Sequence, residues 1–361
     1  MMRFRYMKGN LALVCLSHYW GGMELDTLKL TKSFSAQGVP VILVCKKDSI
    51  LHHEAQKSDV CNIYPISFKR HLDFNIIIGI YRLLVHRNVS NIIFFGTSEI
   101  KSIYFGVLFC SREINVLVRY GTTMSTPKKD FVHSLFYSCV STHVAISQHI
   151  VANIKNIIPI SKKANISCIY PGTTFQELDA KSYLFDQLKG NKIIIVSRIV
   201  EGKGHEDLVL ATKNIDATIT VVGSGEQTYI NALLNKIESN EIHKYHFIGA
   251  VKYDEVSNKL RENGIFVFPS YGEGLGNSLV EALGMGLVCI TYDNTVFREF
   301  EDMGFYIHLV ENRNVEKLAC TINEVIQNFY LHWRRSQSNI NLARNIFSAK
   351  KEVSQFMNLL K

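Results

Sequence analysis

At 361 residues the chain is longer than one hydrophobic core usually fills, so two domains are expected. Ordinary shares of apolar (47%) and charged (20%) residues exclude a disordered or fibrous chain, and no run reaches the roughly 20 apolar residues that span a bilayer. The eight cysteines, at 15, 45, 61, 110, 139, 168, 289 and 320, show no C-x-x-C and no zinc spacing; most lie in apolar runs, which argues for a reducing, cytoplasmic setting. Charge is uneven: residues 1–190 hold 22 Lys+Arg against 12 Asp+Glu, a net of +10, and residues 191–361 hold 18 against 20, a net of −2. A basic first half points to an anionic partner (a membrane surface, a phosphorylated acceptor or nucleic acid) or simply keeps the protein soluble.

The chain opens with Arg3, Arg5 and Lys8 ahead of a short apolar run at 11–16. That run is too short for a signal peptide and no small-residue cleavage site follows, so it reads as a first β-strand. Next comes His18-Tyr19-Trp20-Gly21-Gly22-Met23-Glu24. Two glycines at a helix start let backbone N–H groups reach a ligand; a plain loop with Glu24 set against the helix dipole fits equally. The helix is predicted over 23–37, with Leu25, Leu28, Leu30 and Phe34 near helical spacing and Gly38 as its stop. Short runs at 39–44, 91–95, 114–120, 143–147 and 165–170 are mostly apolar on both parities, as buried parallel strands are. Strands alternating with amphipathic stretches predict a doubly wound α/β domain. Within it, Lys128-Lys129-Asp130-Phe131-Val132-His133-Ser134-Leu135-Phe136-Tyr137 mixes cations with aromatics. A segment touching a lipid surface would look so, and so would an amphipathic helix packed on its own domain.

Residues 173–190 carry no strand pattern and read as a linker with a short helix. The plan then repeats. Strands are predicted at 192–196, 217–222, 245–248, 265–268, 287–290 and 305–309, helices at 206–213, 227–239, 253–263, 277–283 and 315–334, and a helix-prone tail from 336. Ligands of such sheets bind beyond the carboxyl ends of the strands, and three loops stand there. Ser197-Arg198-Ile199-Val200-Glu201-Gly202-Lys203-Gly204-His205 sets two cations on a glycine-flanked turn, where a diphosphate would be neutralised; a solvated basic turn fits the same residues. Val222-Gly223-Ser224-Gly225-Glu226 allows close backbone approach. It lacks the third glycine of a dinucleotide fingerprint, Thr228 standing in its place, and the chain has no G-K-[ST]. Pro269-Ser270-Tyr271-Gly272-Glu273-Gly274-Leu275-Gly276-Asn277-Ser278-Leu279-Val280-Glu281-Ala282 turns from a buried strand into a fresh helix N-terminus, carrying the carboxylates Glu273 and Glu281. These could form an acid/base pair or bind hydroxyls.

Together these four loops resemble the pattern of glycosyltransferase family 4, retaining enzymes of the GT-B fold. The resemblance covers nearly the whole chain and is densest from 192 to 304; Glu273 and Glu281, with seven residues between them, are its most specific feature. It implies two Rossmann-like doubly wound parallel-sheet domains facing an interdomain cleft: an acceptor-binding domain at 1–173, a linker at 174–190, a nucleotide-sugar domain at 191–335, and a helical tail at 336–361 crossing back to the first domain. It further implies that Arg198 and Lys203 hold the donor diphosphate and stabilise the leaving group. Glu281 is implied to bind the donor ribose. Glu273 would contact the transferred sugar, beside the backbone of Gly274, Leu275, Gly276 and Asn277. Gly223 and Gly225 form the second glycine loop, and Gly21 and Gly22 would lie over the diphosphate from the first domain. The leaving phosphate assists the acceptor hydroxyl, so no protein nucleophile is expected. The chain has no D-x-D, and neither a metal nor another cofactor is expected.

Many members of that family carry a histidine near the end of a first-domain strand, facing the donor sugar. Here the region reads Val118-Arg119-Tyr120-Gly121-Thr122, so Arg119 or Tyr120 stands in, or His18 or His143 serves. The implied donor is a nucleotide diphosphate sugar, UDP-linked foremost. The implied acceptor is a glycan or glycolipid of lipopolysaccharide or surface polysaccharide synthesis, met at the inner face of the cytoplasmic membrane with peripheral contact to anionic lipid. No nucleic-acid-binding motif is present. The rival readings are a nucleotide-sugar epimerase of the same fold and a non-enzymatic binder of anionic partners.

Overall fold

Short runs of β-branched residues with no polar parity bury both faces, and in the first half they assemble a seven-stranded parallel sheet. The computed structural model describes residues 9–58, 60, 62–173, 175, 186 and 189–361, apart from the side chains of Tyr253 and Asp254. Arg3, Arg5, Lys8, Cys61 and most of the expected linker lie outside the described residues. The chain divides into two units, Met1–Gly172 with Ser348–Lys361, and Thr173–Phe347.

The first unit runs β1 (Asn10–Cys15), α1 (Gly22–Ala36), β2 (Val41–Lys46), α2 (Ile50–Lys57), β3 (Ile63–Ile66), α3 (Phe74–His86), β4 (Val89–Phe95), α4 (Ile100–Leu108), β5 (Asn115–Tyr120), α5 (Phe131–Tyr137), β6 (Thr142–Ala145), α6 (Gln148–Ile157) and β7 (Asn165–Cys168). The strand order is β3-β2-β1-β4-β5-β6-β7, with Leu13 registered between Leu43 and Ile93. Winding reverses between β1 and β4, the point at which an open parallel sheet leaves a crevice at its carboxyl edge. The helices start where small polar side chains accept the first free N–H groups: Ser49, Asp73, Asp130 and Ser147 cap α2, α3, α5 and α6. β3 has no counterpart among the predicted strands. It is short, only partly buried and contains Pro65, all of which suit the sheet edge it occupies and none of which marks a buried strand.

A last helix, α14 (Ala349–Met357), belongs to this first unit. It packs on α1, with the buried rings of Phe34 and Phe356 6.2 Å apart. Two buried asparagines on the strands hold the residues after it. Asn115 Nδ2 donates to the Leu359 carbonyl at 2.9 Å, and Asn91 exchanges hydrogen bonds with the backbone of Lys361 at 3.1 and 3.0 Å. Arg119, on β5, is 1% exposed; its Nε donates to Asp26 on α1 at 2.8 Å and its Nη2 to Glu352 on α14 at 2.7 Å. Glu352 Oε2 also accepts the Gly172 N–H at 2.8 Å.

In the second unit the order is β8 (Lys192–Val196), α7 (His205–Thr212), β9 (Thr218–Val222), α8 (Gln227–Leu234), β10 (Tyr245–Gly249), α9 (Tyr253–Arg261), β11 (Ile265–Phe268), α10 (Asn277–Gly284), β12 (Val288–Asp293), α11 (Phe297–Asp302), β13 (His308–Glu311), α12 (Val315–Gln327) and α13 (Phe329–Ile346). Six parallel strands take the order β10-β9-β8-β11-β12-β13, so this sheet reverses between β8 and β11. The helix expected over 315–334 is broken at Asn328, which ends α12 and starts α13. The last strand begins at His308 rather than 305, because Phe305 turns inward onto Phe300 and Phe347 at ring distances of 5.7 and 6.0 Å. The tail expected from 336 begins inside α13, and the chain joins the first unit only from Ser348.

Candidate active site

The reversal between β8 and β11 brings the Ser197–Gly204 loop against the Pro269–Gly276 turn. The fit is close enough to require glycine: Gly204 has φ +75°, and a Cβ there would stand 2.0 Å from the Pro269 carbonyl oxygen. Across the seam the Tyr271 N–H donates to the Gly202 carbonyl at 2.8 Å. Lys203 Nζ reaches Glu273 Oε1 at 2.5 Å, and Ser270 Oγ donates to the same oxygen at 2.7 Å. The Glu273 N–H donates to Thr295 Oγ1 at 3.2 Å, and Asn294 Nδ2 to the Ser270 carbonyl at 2.9 Å. Glu273 is thus fixed from both ends, and Oε2 has no partner among the described residues. The ion pair is partly accessible, with 20% of the Lys203 side chain and 14% of the Glu273 side chain exposed.

Arg198 sits on the same loop with an exposed side chain and no ion pair among the described residues. Its backbone is braced by the β9–α8 turn. The Ile199 N–H donates to the Ser224 carbonyl at 2.8 Å. A Cβ at Gly223 or Gly225 would come within 1.8 Å of the Ser197 carbonyl oxygen or 2.0 Å of that of Ile199. Those two glycines therefore hold the cationic loop in place. Gly276, at φ +85°, ends the turn and begins α10 without a side-chain cap; its carbonyl accepts the Leu279 and Val280 N–H groups at 2.9 and 3.2 Å, and the positive end of the helix dipole faces the turn. Leu275 is buried beneath the turn, and Gly274 and Asn277 lie on either side of it. Glu281 lies one turn along α10 from Asn277 and is 8% exposed, not a solvated surface carboxylate.

Ser270, Asn294 and Thr295 have no role in the expected site, yet they orient Glu273 and its turn. Their signal was positional: Asn294 and Thr295 follow β12 directly, at the edge where such sheets bind ligands. Below the turn, Asp207 accepts from Tyr271 Oη at 3.1 Å and Tyr292 Oη at 2.6 Å. Burial and then Asp207 push the Tyr271 hydroxyl up to about 12, so it stays protonated and donating. The Arg313 guanidinium lies over the Tyr271 ring, 4.2 Å from its centroid.

In the first unit, Gly21 caps α1 in extended backbone at the carboxyl end of β1, and Gly22 is the first residue of that helix. His18, Tyr19 and Trp20 beside them are exposed. Arg119 and Tyr120 are not. Arg119 is committed to Asp26 and Glu352, and Tyr120, 3% exposed, hydrogen-bonds His143 Nδ1 at 2.8 Å. Neither offers a free head group to an acceptor, so of the residues considered for that role His18 alone is open to solvent.

Two buried histidines make the protein acid-sensitive. Burial pushes His143 down to about 4; burial, then Lys203, does the same to His205. The unfolded chain binds these protons more readily than the native one, so stability present above about pH 6.5 is lost as pH falls toward 4, up to roughly 3 kcal/mol for each group. The urea midpoint is expected to drop between pH 7.5 and pH 5.0, and His205→Gln to narrow the drop. A midpoint that does not move contradicts this.

Residues 179–340 match the family model described as glycosyl transferases group 1. The chain carries a group 1 glycosyltransferase domain. An uncharacterized glycosyltransferase of Methanocaldococcus jannaschii is 24% identical over 218 residues, and the match spans 59% of this chain and 59% of that protein. A glycosyltransferase from Rickettsia africae superposes with a TM-score of 0.82 at 18% identity, covering 98% of each chain. The Anabaena protein Alr3699/HepE, solved with UDP and glucose, superposes with a TM-score of 0.75 at 14% identity, covering 98% of this chain and 100% of that one. At such identities the likeness is one of fold, the two Rossmann-like units of GT-B glycosyltransferases. Lys203, Glu273, Arg198 and the α10 N-terminus all fall inside the stretch matched as the group 1 glycosyltransferase domain.

Proposed function

We propose that the chain is a retaining glycosyltransferase that moves a hexose or N-acetylhexosamine from a UDP-sugar to a hydroxyl of a glycan or glycolipid. The observation that carries this reading is the Lys203–Glu273 pair beside the unpaired Arg198, at the sheet reversal and next to an uncapped helix start. A departing nucleoside diphosphate needs preorganised cations and N–H donors, and those are the groups gathered there. In this reading Arg198 and Lys203 neutralise the diphosphate, Glu281 binds the ribose, and Glu273 with the Gly274–Asn277 backbone holds the sugar. Gly21 and Gly22 would offer backbone N–H groups to a phosphate, and His18 would serve an acceptor. The bond from the anomeric carbon to the diphosphate oxygen breaks and a bond to the acceptor oxygen forms on the same face. The acceptor proton passes to the departing phosphate, so no side-chain nucleophile is used. The UDP preference draws on the ligand named with the Anabaena structure.

Lipopolysaccharide or surface polysaccharide synthesis at the membrane's inner face suits a basic first half. No helix among the described residues is long and apolar enough to cross a membrane. On α5, Phe131, Val132 and Leu135 are exposed while Phe136 and Tyr137 are buried. Leu72, Phe74, Ile78 and Tyr81 line an apolar groove of about 710 Å³ with Phe109. Exposed apolar residues on a basic unit favour peripheral contact with anionic lipid, and salt-reversible co-sedimentation with anionic vesicles tests it.

The donor reading is tested by thermal shift and slow donor hydrolysis across UDP-, GDP- and ADP-sugars, with and without EDTA. A UDP-sugar at 100 times its Kd stabilises by about 2.7 kcal/mol, a Tm rise of several degrees. The rise is expected to survive EDTA and to vanish in Glu281→Ala. If no nucleotide sugar shifts or hydrolyses, the reading fails.

A further inference from the structure

Beside the outermost strand of the second sheet, two histidines and a glutamate converge. His308 opens β13, Glu324 lies on α12 and His332 on α13, and one ligand atom from each lies within 4.8 Å of the others. β13 is the outermost strand and His308 is registered with Ile290, midway along β12, so the cluster lies on the outer flank of the sheet, two strands from β11.

Each side chain is held as a metal ligand would be. His332, 4% exposed, has Nδ1 2.6 Å from Tyr306 Oη and Nε2 2.9 Å from Glu324 Oε1. His308 Nε2 is fully buried and has no hydrogen-bond partner among the described residues. A buried imidazole nitrogen without a partner is costly unless something fills the space before it. The two imidazoles meet edge to face, their centroids 4.8 Å apart. The Glu324 side chain is 51% exposed, free enough to swing inward.

We propose that His308 Nε2, His332 Nε2 and a Glu324 carboxylate oxygen bind Zn²⁺, with water at the fourth position. Two nitrogens and one carboxylate suit zinc rather than the oxygen-seeking calcium or magnesium. Bonds of roughly 2.0–2.1 Å set tetrahedral ligands about 3.4 Å apart, so the Glu324 oxygen would draw back from its 2.9 Å contact with His332 Nε2, a shift the half-exposed side chain can make. With zinc on Nε2, the His332 Nδ1–H donates to Tyr306 Oη, which fixes the tautomer and ring orientation. The ion ties β13 to both α12 and α13 across the helix break at Asn328. It stabilises this flank. The Arg335 guanidinium, 5.7 Å from the Tyr306 ring centroid, is the neighbouring cation that works against the site.

The test uses tag-free full-length protein stripped with a chelator. ZnCl₂ is titrated by calorimetry, and Co²⁺ is added separately to read the visible absorption of a tetrahedral site. Wild type is expected to bind one Zn²⁺ per chain with a rise in Tm. Glu324→Ala and His308→Asn should weaken binding by about 100-fold or more and lose the cobalt band. Tyr306→Phe should weaken it by about 10–100-fold, as loss of an outer-shell partner does. Circular dichroism checks that each variant folds. Zinc binding that is absent in wild type, or unchanged in Glu324→Ala and His308→Asn, overturns the proposal. Either result is independent of whether any nucleotide sugar binds.

Discussion

Lys203→Ala is expected to lower kcat by about 10²–10³ with the best nucleotide sugar, the cost of removing one preorganised charge-stabilising donor. Lys203 is the cation whose position is fixed. It is held by Glu273 at 2.5 Å in a partly buried setting, whereas the Arg198 side chain is exposed and has no ion pair among the described residues. An ammonium already in place costs no reorganisation when charge develops on the departing phosphate. Arg198→Ala should therefore act more on KM than on kcat. The Lys203 change also strips Glu273 of its counter-charge, leaving Ser270 Oγ as its side-chain donor. Because the pair is partly exposed, that loss should cost only about 1–2 kcal/mol of stability. Initial rates with saturating donor, beside urea titrations of the same variant, separate the two effects. A kcat within threefold of wild type would remove Lys203 from the chemistry.

The loops that build this site are legible because their chemistry is local. Strand ends, alternating glycines and a fresh helix start all fall within a few residues, and parallel strands expose their carboxyl edge to ligands whatever else the fold does. Glycine roles are less legible. Gly223 and Gly225 read as backbone left open for a ligand, yet the atoms a Cβ would strike are carbonyl oxygens of the neighbouring Arg198 loop. Arg119 is harder still. An arginine in an apolar strand near a domain edge reads as functional, since a buried charge is expensive. Its partners Asp26 and Glu352 lie 93 and 233 residues away, so no spacing announces them. Ser270 and Thr295 were illegible for another reason: a small hydroxyl in a turn carries no pattern until the carboxylate it orients is placed. The edge strand β3 and the break at Asn328 are illegible because a partly exposed proline strand and a polar residue between two helices carry no periodicity of their own.

Arg119→Ala is expected to destabilise the first unit by about 3–5 kcal/mol, lowering its Tm by roughly 10 °C. The guanidinium is 1% exposed and is the one cation paired with both Asp26 and Glu352. Without it, two carboxylates face each other in the interior with no counter-charge, and the cavity left between β5, α1 and α14 adds its own cost. The cluster is not saturated even in the native protein, since Nη1 is buried without a partner among the described residues. Phe356 and Phe95 lie under the cation at 5.1 and 5.8 Å and return part of that cost. Glu352→Gln should be milder, about 1–2 kcal/mol. Complete burial outweighs the pull of Arg119 and raises the Glu352 carboxyl to about 7, so an uncharged head group is already nearly tolerated there near neutral pH. The amide keeps an acceptor for Arg119 but turns an N–H₂ toward the Gly172 N–H, which sets the residual loss. Hydrogen exchange locates the effect: in Arg119→Ala, amides of α14 should lose protection first, because Glu352 is the helix's charged tie to the strands. A loss under 1 kcal/mol, or protection of α14 unchanged, would mean that the apolar contact of Phe356 with Phe34, and not the buried charge cluster, fastens the C-terminal helix to its sheet.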